Sequence, residues 1–469
     1  MKNKIVKSSE WEETPPNFVA LTPLDGRNYH KVQTLSNYFS EFALNRTRLL
    51  VEIRYLIFLA QNRIAPPFSR PQITALENLH TGFDLRAMRE IREFEKQTNH
   101  DTKAVEYFLK TRLKAVKLPN HVEFVHWALT SEDVNNLSYS LLLKNYTQTL
   151  AIPMIKKMLN RLKRLISRSN IPIIGRTHGQ PANVTTLAKE LAVFYSRLVD
   201  ELNLMSGMQL QGKLNGAVGS FADQTFSYPE KDWLAIEEDF VQSLGLEPAL
   251  ATTQILPYDS LIRLFDAYGR LQQIALDLTQ NLWLYLSFDF LYTRIRNTAE
   301  VGSSVMPQKV NPIYLEGAEG AFELSNALLA MYKTKLSHSR LQHDLSDSTI
   351  RRSFGIAFAY SYLSWQSVVE ALERLEPNRP AIGSDREKHW EVLTGAVQTY
   401  LRSRGYDRPY EVIARHVKGK TFTHDEFINL IDALSVKSAD KRALKQLSFE
   451  KLAQPCRSIV KRVLKKKIA

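Results

Sequence analysis

Long stretches of the chain repeat apolar residues every three or four positions, which is the spacing of one face of an α-helix. One stripe contains Leu49, Ile53, Leu56 and Leu59. Two longer stripes are Leu187, Leu191, Phe194, Leu198, Leu202 and Met205, and Leu261, Leu264, Phe265, Tyr268, Leu271, Ala275, Leu278 and Leu282. Opposite the last stripe lie Arg263, Asp266, Arg270, Gln273 and Asp277. These stripes predict long helices that bury one face in a core.

The sequence around these stripes contains no alternating strand pattern and no strand-bounded glycine-rich phosphate loop. Their absence argues against a dinucleotide-binding fold. The pattern therefore predicts an all-α protein built as a bundle of long helices.

Composition agrees with a large globular protein. With 469 residues, 44% of them hydrophobic, the chain is long enough for more than one domain. We expect neither a membrane helix nor an export signal, because no long uncharged apolar run occurs and the first 17 residues are polar. The single cysteine, Cys456, excludes an intrachain disulfide and fits a reducing cytoplasm. No Cys/His cluster has zinc-ligand spacing, so we expect no metal.

The net charge of +13 is concentrated at the C-terminus. From Lys441 to Ala469 there are ten Lys and Arg residues and one acid, Glu450. A solvated helix whose cations complement the helix dipole explains this run better than a nucleic-acid-binding tail. The rest of the chain is only mildly basic, which suits an acidic nucleotide substrate.

A polar stretch between two helical segments offers the richest chemistry. It reads Gly-Ser-Ser-Val-Met-Pro-Gln-Lys-Val-Asn-Pro from Gly302 to Pro312. Lys309 can pair with a carboxylate, Asn311 can donate through its amide, and Ser303 can act as an oxygen base if its pKa is depressed. The alternative is an ordinary surface turn capped by Ser and Pro.

Four further polar segments precede this stretch. Arg27 ends the turn Thr-Pro-Leu-Asp-Gly-Arg, where it can bind a phosphate or cap the turn. Asn99, His100 and Asp101 precede an apolar run, where Asp101 can cap a helix. Thr130 and Ser131 precede two acids, which is a capping pattern, and a helix N-terminus also attracts anions. His178 lies in the polar segment Arg-Thr-His-Gly-Gln-Pro-Ala, where an imidazole can serve as an acid near neutral pH.

The stretch from Gly302 to Pro312 resembles the signature of the fumarase/aspartase superfamily. The segments Thr-Asn-His-Asp, Thr-Ser-Glu-Asp-Val-Asn-Asn, Arg-Thr-His-Gly-Gln-Pro-Ala and Lys-Leu-Asn-Gly-Ala-Val-Gly resemble the adenylosuccinate lyase family specifically, in its bacterial type. The likeness extends from about Leu21 to about Val463. It implies elimination of fumarate from adenylosuccinate, giving AMP, and from succinylated aminoimidazole carboxamide ribotide, giving AICAR, in purine biosynthesis, without a cofactor.

The resemblance also implies roles for individual residues. Ser303 would be the base, His178 the acid, and Glu316 the carboxylate that orients His178. The implied substrate contacts are Arg27, Tyr29, Asn99, His100, Asp101, Thr130, Ser131, Gln254, Lys309, Asn311, His343, Ser348 and Arg352. The chain departs from the family pattern where Asn28 shifts the tyrosine to Tyr29, where His343 replaces an Arg, and where Gly317 replaces an Asn. All three departures fall at nucleotide-facing positions.

By the same resemblance, residues 1–119 would form an N-terminal helical domain, 120–372 a central long-helix bundle, and 373–469 a C-terminal helical domain with the basic tail. The enzyme would be a cytoplasmic homotetramer with shared active sites. Two alternatives stay open: a superfamily lyase with another succinyl substrate, and a non-catalytic paralogue that binds nucleic acid through its basic C-terminus.

Overall fold

The computed structural model describes residues 19–296, 302 and 304–468, and this part of the chain is mostly helical. The helices are α1 (Tyr29–Val32), α2 (Ser36–Phe39), α3 (Glu41–Gln61), α4 (Arg70–Thr81), α5 (Leu85–Thr98), α6 (Asp101–Ala115), α7 (Ser131–Tyr146), α8 (Ile152–Arg168), α9 (Leu187–Ser206), α10 (Ala222–Ser227), α11 (Trp233–Ser243), α12 (Asp259–Ser287), α13 (Ile313–Leu336), α14 (Ser346–Arg352), α15 (Phe354–Arg374), α16 (Arg379–Glu387), α17 (Thr394–Ser403), α18 (Pro409–Val417), α19 (His424–Ala433), α20 (Ser438–Leu444) and α21 (Phe449–Val463). The predicted all-α class is confirmed.

Short strands form three two-stranded sheets in the described residues, which the sequence pattern did not indicate. They are β1 (Pro172–Thr177) with β2 (Gln180–Thr186), β3 (Gln211–Gly212) with β4 (Glu247–Pro248), and β5 (Leu291–Thr293) with β6 (Leu375–Pro377). The first and third pairs are antiparallel and the second is parallel. Tight 3₁₀ segments at Gln33–Leu35, Pro119–Phe124 and Trp390–Leu393, and a π-helical turn at Thr147–Ala151, connect the longer elements.

The three predicted stripes are buried. Leu49, Ile53, Leu56 and Leu59 are the inward residues of α3, whose N-terminus is capped by the Ser40 hydroxyl. The stripes beginning at Leu187 and Leu261 belong to α9 and α12 and are also buried throughout. These helices therefore form because hydrophobic burial of one face, more than local propensity, stabilises them.

The chain divides into two compact units. The first unit comprises Met1–Pro153, Leu204–Arg270 and Ala321–Leu363, and the second comprises Met154–Asn203, Leu271–Gly320 and Ser364–Ala469. One core of the first unit packs α3 against α4, α5 and α6 through residues such as Leu76, Ile91 and Leu109. One core of the second unit joins α17, α18, α19 and α21 to Ile174 of β1.

None of the helices within the described residues has the length and hydropathy that a membrane-spanning segment requires. A search of the same residues finds no group of three or more His, Cys, Asp and Glu side chains arranged to hold a metal ion.

Candidate active site

His178 lies at the tip of the hairpin formed by β1 and β2. Thr177 pairs with Gln180, so His178 and Gly179 are the two turn residues. Their φ angles are 53° and 74°, which is the left-handed backbone that a type I′ hairpin turn requires. The His178 ring is exposed, and no described residue hydrogen-bonds to it. The hairpin therefore presents His178 outward, with both ring nitrogens available.

The strand is fixed close to the hairpin tip by Arg176, which pairs with Pro181. The Arg176 guanidinium donates to Asp385 of α16 at 2.7 Å and lies over the rings of Phe288 and Phe290. The arginine side chain is largely buried by these contacts. It therefore holds the strand that leads to His178 against α16.

The stretch from Gly302 to Pro312 folds back on itself. The Asn311 amide donates to the Gly302 carbonyl at 2.5 Å. A Cβ atom at position 302 would lie 1.9 Å from the Lys309 carbonyl oxygen, so only glycine allows this close approach. Ser303, the predicted base, lies outside the described residues. Asn311 therefore has a structural role in this loop. The sequence predicted only a contact between Asn311 and the substrate.

The same loop forms one wall of a cavity of about 680 Å³ in the second unit. Lys309 and Asn311 line this cavity together with Tyr314 and Arg374. The Lys309 side chain is exposed, and the described residues provide no carboxylate that pairs with it. An exposed cation beside a cavity of this size can receive a carboxylate of a small ligand.

Glu316 lies in the first turn of α13, where it accepts a hydrogen bond from the Trp283 indole at 3.2 Å. The described residues show no hydrogen bond between Glu316 and His178. Its role in orienting the histidine stays a prediction.

In the first unit, His100 and Ser131 face each other at two helix N-termini. His100 is the N-cap of α6, because its Nδ1 accepts a hydrogen bond from the Lys103 N–H at 3.2 Å. The N-cap is therefore His100 and not Asp101, the residue that the sequence pattern predicts as the cap. Since Nδ1 accepts, the neutral ring carries its proton on Nε2, which lies 3.4 Å from the Ser131 hydroxyl. Both groups occupy positions where helix dipoles favour an anion.

Asp101 joins two arginines in the first unit. Its Oδ2 atom lies 2.8 Å from Arg48 and 2.7 Å from Arg352. Burial alone would raise the pKa of the Asp101 carboxyl, but Arg48 and then Arg352 hold it well below its usual range. Arg352 also reaches the Ser348 hydroxyl at 3.4 Å. Asp101 thus fixes the Arg352 guanidinium, which is half exposed and free to take a further acceptor.

His343 connects Gln254 to Asp347 of α14 in the first unit. Its Nδ1 donates to Oε1 of Gln254 at 2.7 Å, and its Nε2 lies 3.4 Å from Oδ1 of Asp347. The Gln254 amide in turn donates to the Ala217 carbonyl at 2.9 Å. The histidine therefore holds the Gln254 side chain in one orientation, so the two predicted substrate contacts act as one group.

A buried ionic cluster supports these groups, and the sequence analysis missed it. Arg351 contacts Glu132 at 2.8 Å and Asp347 at 3.2 Å, and all three side chains are nearly inaccessible. Tyr258 donates a hydrogen bond to Oδ2 of Asp347, the same oxygen that Arg351 contacts. Although burial alone would raise the pKa of Glu132, Arg351 lowers it. The cluster connects the helix N-terminus at Ser131 to the helix that carries Ser348 and Arg352.

The four other predicted contacts of the first unit lie at a turn or at helix ends. Arg27 and Tyr29 are exposed at a turn held by the hydrogen bond from Gly26 N–H to the Thr22 carbonyl, and Tyr29 begins α1. Asn99 has a φ of 51° and ends α5 as its left-handed cap. Thr130 is the N-cap of α7, and its N–H donates to Asp133 at 2.8 Å.

The structure thus groups the predicted residues by unit. His100, Asp101, Ser131, Gln254, His343, Ser348 and Arg352 belong to connected hydrogen-bond networks of the first unit. His178, Lys309, Asn311 and Glu316 belong to the second unit. The first group is rich in donors for an anionic ligand, and the second contains the predicted acid and the loop of the predicted base.

Comparison with known proteins gives these groups a context. A family model described as Lyase matches residues 32–322, and one described as Adenylosuccinate lyase C-terminal matches residues 339–452. An adenylosuccinate lyase of Legionella pneumophila (strain Corby) is 39% identical over 441 residues, covering 92% of this chain and 95% of the relative. Those of Escherichia coli (strain K12) and Dictyostelium discoideum are 37% and 38% identical, each covering 92% of this chain and 96% of the relative.

The chain belongs to the adenylosuccinate lyase family. Its fold is shared more widely among solved structures. A fumarate lyase from Mesorhizobium sp. BNC1 superposes with a TM-score of 0.72 at 15% identity, covering 93% of this chain and 98% of that one. A 3-carboxy-cis,cis-muconate lactonizing enzyme from Pseudomonas putida gives 0.73 at 18% identity, covering 92% and 96%. Similarity at this level of identity shows the fold alone.

Within the adenylosuccinate lyase family, the Adenylosuccinate lyase C-terminal match is the most informative for this site. It spans His343, Asp347, Ser348, Arg351 and Arg352. The missed residues Asp347 and Arg351 lie among predicted ones, but nothing in a single sequence shows that these charged side chains are buried and paired.

Proposed function

We propose that the protein eliminates fumarate from adenylosuccinate to give AMP, and from succinylated aminoimidazole carboxamide ribotide to give AICAR. The observation that carries the proposal is the match of residues 339–452 to the Adenylosuccinate lyase C-terminal model. That segment supplies His343, which holds Gln254, and also Ser348 and Arg352, the latter paired with Asp101 beside His100. Such a donor-rich surface suits the phosphate and carboxylates of a succinylated nucleotide.

In the proposed reaction, Ser303 as an oxyanion removes a proton from the carbon beside a carboxylate. The electron pair forms the carbon–carbon double bond of fumarate as the carbon–nitrogen bond breaks. His178 gives its proton to the departing nitrogen, and the exposed hairpin tip leaves its ring free to do so.

Charge that develops on the carboxylate during proton removal is stabilised by Lys309 and by the N-terminus of α7 at Thr130 and Ser131. Glu316 orients His178. Asn311 contributes by holding the Gly302 turn closed, in addition to any contact with substrate. No step calls for a metal or a cofactor.

The proposed assembly is a cytoplasmic homotetramer whose sites combine residues from different protomers. Large apolar side chains remain exposed on three of the longest helices: Val193 of α9, Trp283 and Leu284 of α12, and Leu324 and Met331 of α13. Exposed apolar residues on long helices are typical of surfaces that pack against another subunit. The three-domain division at residues 119 and 372 belongs to the same proposal.

The test is an absorbance assay for fumarate release by the purified protein, with adenylosuccinate, argininosuccinate and malate supplied separately. We expect turnover of adenylosuccinate alone. Turnover of either other compound in its place would overturn the substrate, and no turnover of any would favour the non-catalytic paralogue.

The base is tested by a matched pair of variants. Ser303→Ala should lower the turnover number by roughly a hundredfold to ten-thousandfold, while Ser304→Ala should retain most activity. The reverse result would assign the base to Ser304.

A further inference from the structure

A second polar cavity lies in the second unit and contains none of the predicted site residues. Its volume is about 860 Å³, which is within the usual range for small-molecule sites. Three segments form it: the C-terminal half of α8, the residues that follow β5, and the end of α15. The lining residues are Asn160, Arg161, Lys163, Arg164, Ser167, Arg168, Arg294, Arg296, Leu372 and Glu373.

The cavity has a strong excess of positive charge. Among the lining residues that the structure describes, six are Lys or Arg and Glu373 is the one acid. The Glu373 carboxylate is already shared by Arg161 and Arg296, at 2.5 and 2.8 Å. The Arg296 side chain is a hydrogen-bond donor that lowers the pKa of Glu373, and the charge of Arg161 lowers it further. Glu373 is therefore committed to two cations and does not neutralise the other four.

Two neighbouring carboxylates do not remove the excess. Glu376 pairs with Arg168 at 2.5 Å, and Glu370 lies 3.3 Å from Arg296. In the described residues, no carboxylate pairs with Lys163, Arg164 or Arg294. Lys163 contacts only the Leu464 carbonyl, at 3.3 Å, among the described partners. Within the described part of the chain, six cations therefore face three carboxylates, Glu370, Glu373 and Glu376.

The arrangement of these cations needs an explanation. Asn160, Lys163, Arg164, Ser167 and Arg168 recur at three- and four-residue intervals along one face of α8. Arg164 and Arg168 are like charges one turn apart, which destabilises a helix. The dipole at the end of α8 offsets part of this cost. It does not explain why Arg294 and Arg296, from a separate segment, face the same cavity.

We propose that this cationic cavity binds a small polyphosphorylated metabolite, such as a nucleoside triphosphate, through its phosphate groups. Guanidinium groups bind phosphate oxygens in pairs and carry a permanent charge. Asn160 adds a neutral amide donor on the same helix face. The ligand supplies the missing negative charge and joins α8 to the segment after β5. The site is independent of the elimination reaction and of its substrate.

The test compares two double variants of the full-length protein with wild type. Arg164→Gln with Arg294→Gln removes two exposed cavity cations that have no carboxylate partner among the described residues. The matched control, Arg402→Gln with Arg415→Gln, makes the same change at exposed positions of α17 and α18. Titration calorimetry at 150 mM KCl without divalent cations measures binding of inorganic pyrophosphate, ATP and a short single-stranded RNA.

We expect wild type and control to bind ATP, or pyrophosphate, with a Kd below about 1 mM, and the cavity variant to bind at least roughly tenfold more weakly. Binding of pyrophosphate as tight as that of ATP would assign recognition to the phosphates alone, and tighter ATP binding would assign part of it to the nucleoside. Equal affinity in the cavity variant and the control would place the anion at another site and overturn the proposal. So would the absence of binding to wild type, or binding of RNA without either small probe.

Discussion

At the residue scale, a buried ion pair lies beneath one of the predicted anion sites. Lys213 Nζ is 2.8 Å from Asp133 Oδ1, and neither side chain is exposed. The ammonium also donates to the Gly216 carbonyl at 3.1 Å, while the other Asp133 oxygen accepts from the Thr130 N–H. The pair therefore ties the N-terminus of α7 to the segment that leads to Ala217 and, through it, to Gln254.

Loss of one partner should leave a charge buried and unpaired. We expect Lys213→Met to lower the free energy of unfolding by roughly 3–5 kcal/mol, measured by urea denaturation at a fixed protein concentration. The control is Lys189→Met, whose contact with Glu190 is about one third exposed and should be worth less than about 1 kcal/mol. A Lys213→Met protein as stable as the control would mean that Asp133 is hydrated or neutral in the fold.

Glu237 provides a pH-dependent contribution in the same part of the first unit. Its Oε1 atom accepts from the Leu214 N–H at 2.6 Å, and Oε2 has no hydrogen-bond partner among the described residues. Burial, together with the negative charge of Asp133, raises its pKa from 4.5 to about 7. Between these pH values the unfolded chain releases a proton that the folded chain keeps, so this residue lowers stability as the pH rises.

Glu237→Gln removes that pH dependence. Relative to wild type, the variant should gain roughly 2–3 kcal/mol in unfolding free energy between pH 5 and pH 8. Urea denaturation across this range measures the gain, with the exposed Asp239→Asn on the same helix as the control. Parallel pH profiles of Glu237→Gln and wild type would show that the carboxyl is already ionised near pH 5.

At the element scale, the sequence predicted one of the two proposed catalytic loops more completely than the other. The sequence predicted the polar stretch after Gly302, and the contact between Gly302 and the Lys309 carbonyl shows why glycine is required there. It did not predict that His178 lies on a β-hairpin. Pro181 lies within β2 and cannot donate to the ladder, which weakens the strand signal. The buried partners Glu132 and Arg351 were missed because burial of a charged residue depends on contacts distant in sequence.

The closed turn at Gly302 gives a direct test of loop geometry. Gly302→Ala should lower the turnover number by about a hundredfold, since the added methyl group must displace the Lys309 carbonyl and with it the loop. Fumarate release measures the loss, and circular dichroism checks that the fold is kept. Gly383→Ala in α16, where a Cβ atom meets nothing within 4 Å, is the control. Full activity in Gly302→Ala would show that the loop adopts another conformation during catalysis.

The basic C-terminal segment is attached to the second unit. Helix α21 packs against β1 and β2, and Lys466 pairs with Asp200 of α9 at 2.6 Å. The Lys467 carbonyl accepts from the Asn203 amide at 3.0 Å. These contacts support the interpretation of the segment as a structural helix with a solvated cationic face, in preference to a free nucleic-acid-binding tail.

At the scale of the whole molecule, the proposed site residues belong to two packing units. Donors for the nucleotide lie in the first unit, whereas His178 and the loop after Gly302 lie in the second. Within the second unit, His178 is exposed at a hairpin tip and hydrogen-bonds to no described residue. A general acid needs a neighbour that orients its ring, so this arrangement supports the proposal that another protomer completes the site.

The proposed tetramer can be tested by mixing two inactive proteins. If His178 and Ser303 of one site come from different protomers, a mixture of His178→Ala and Ser303→Ala contains sites in which both residues are intact. Equal amounts unfolded and refolded together should give roughly a quarter of such sites by random assembly. Activity should therefore recover to about a quarter of wild type, provided that the sites act independently. Each variant refolded alone is the control and should stay inactive. Mixed tetramers that are verified by native mass spectrometry and remain inactive would show that one protomer supplies both residues, because no arrangement of the two variants then restores a complete site.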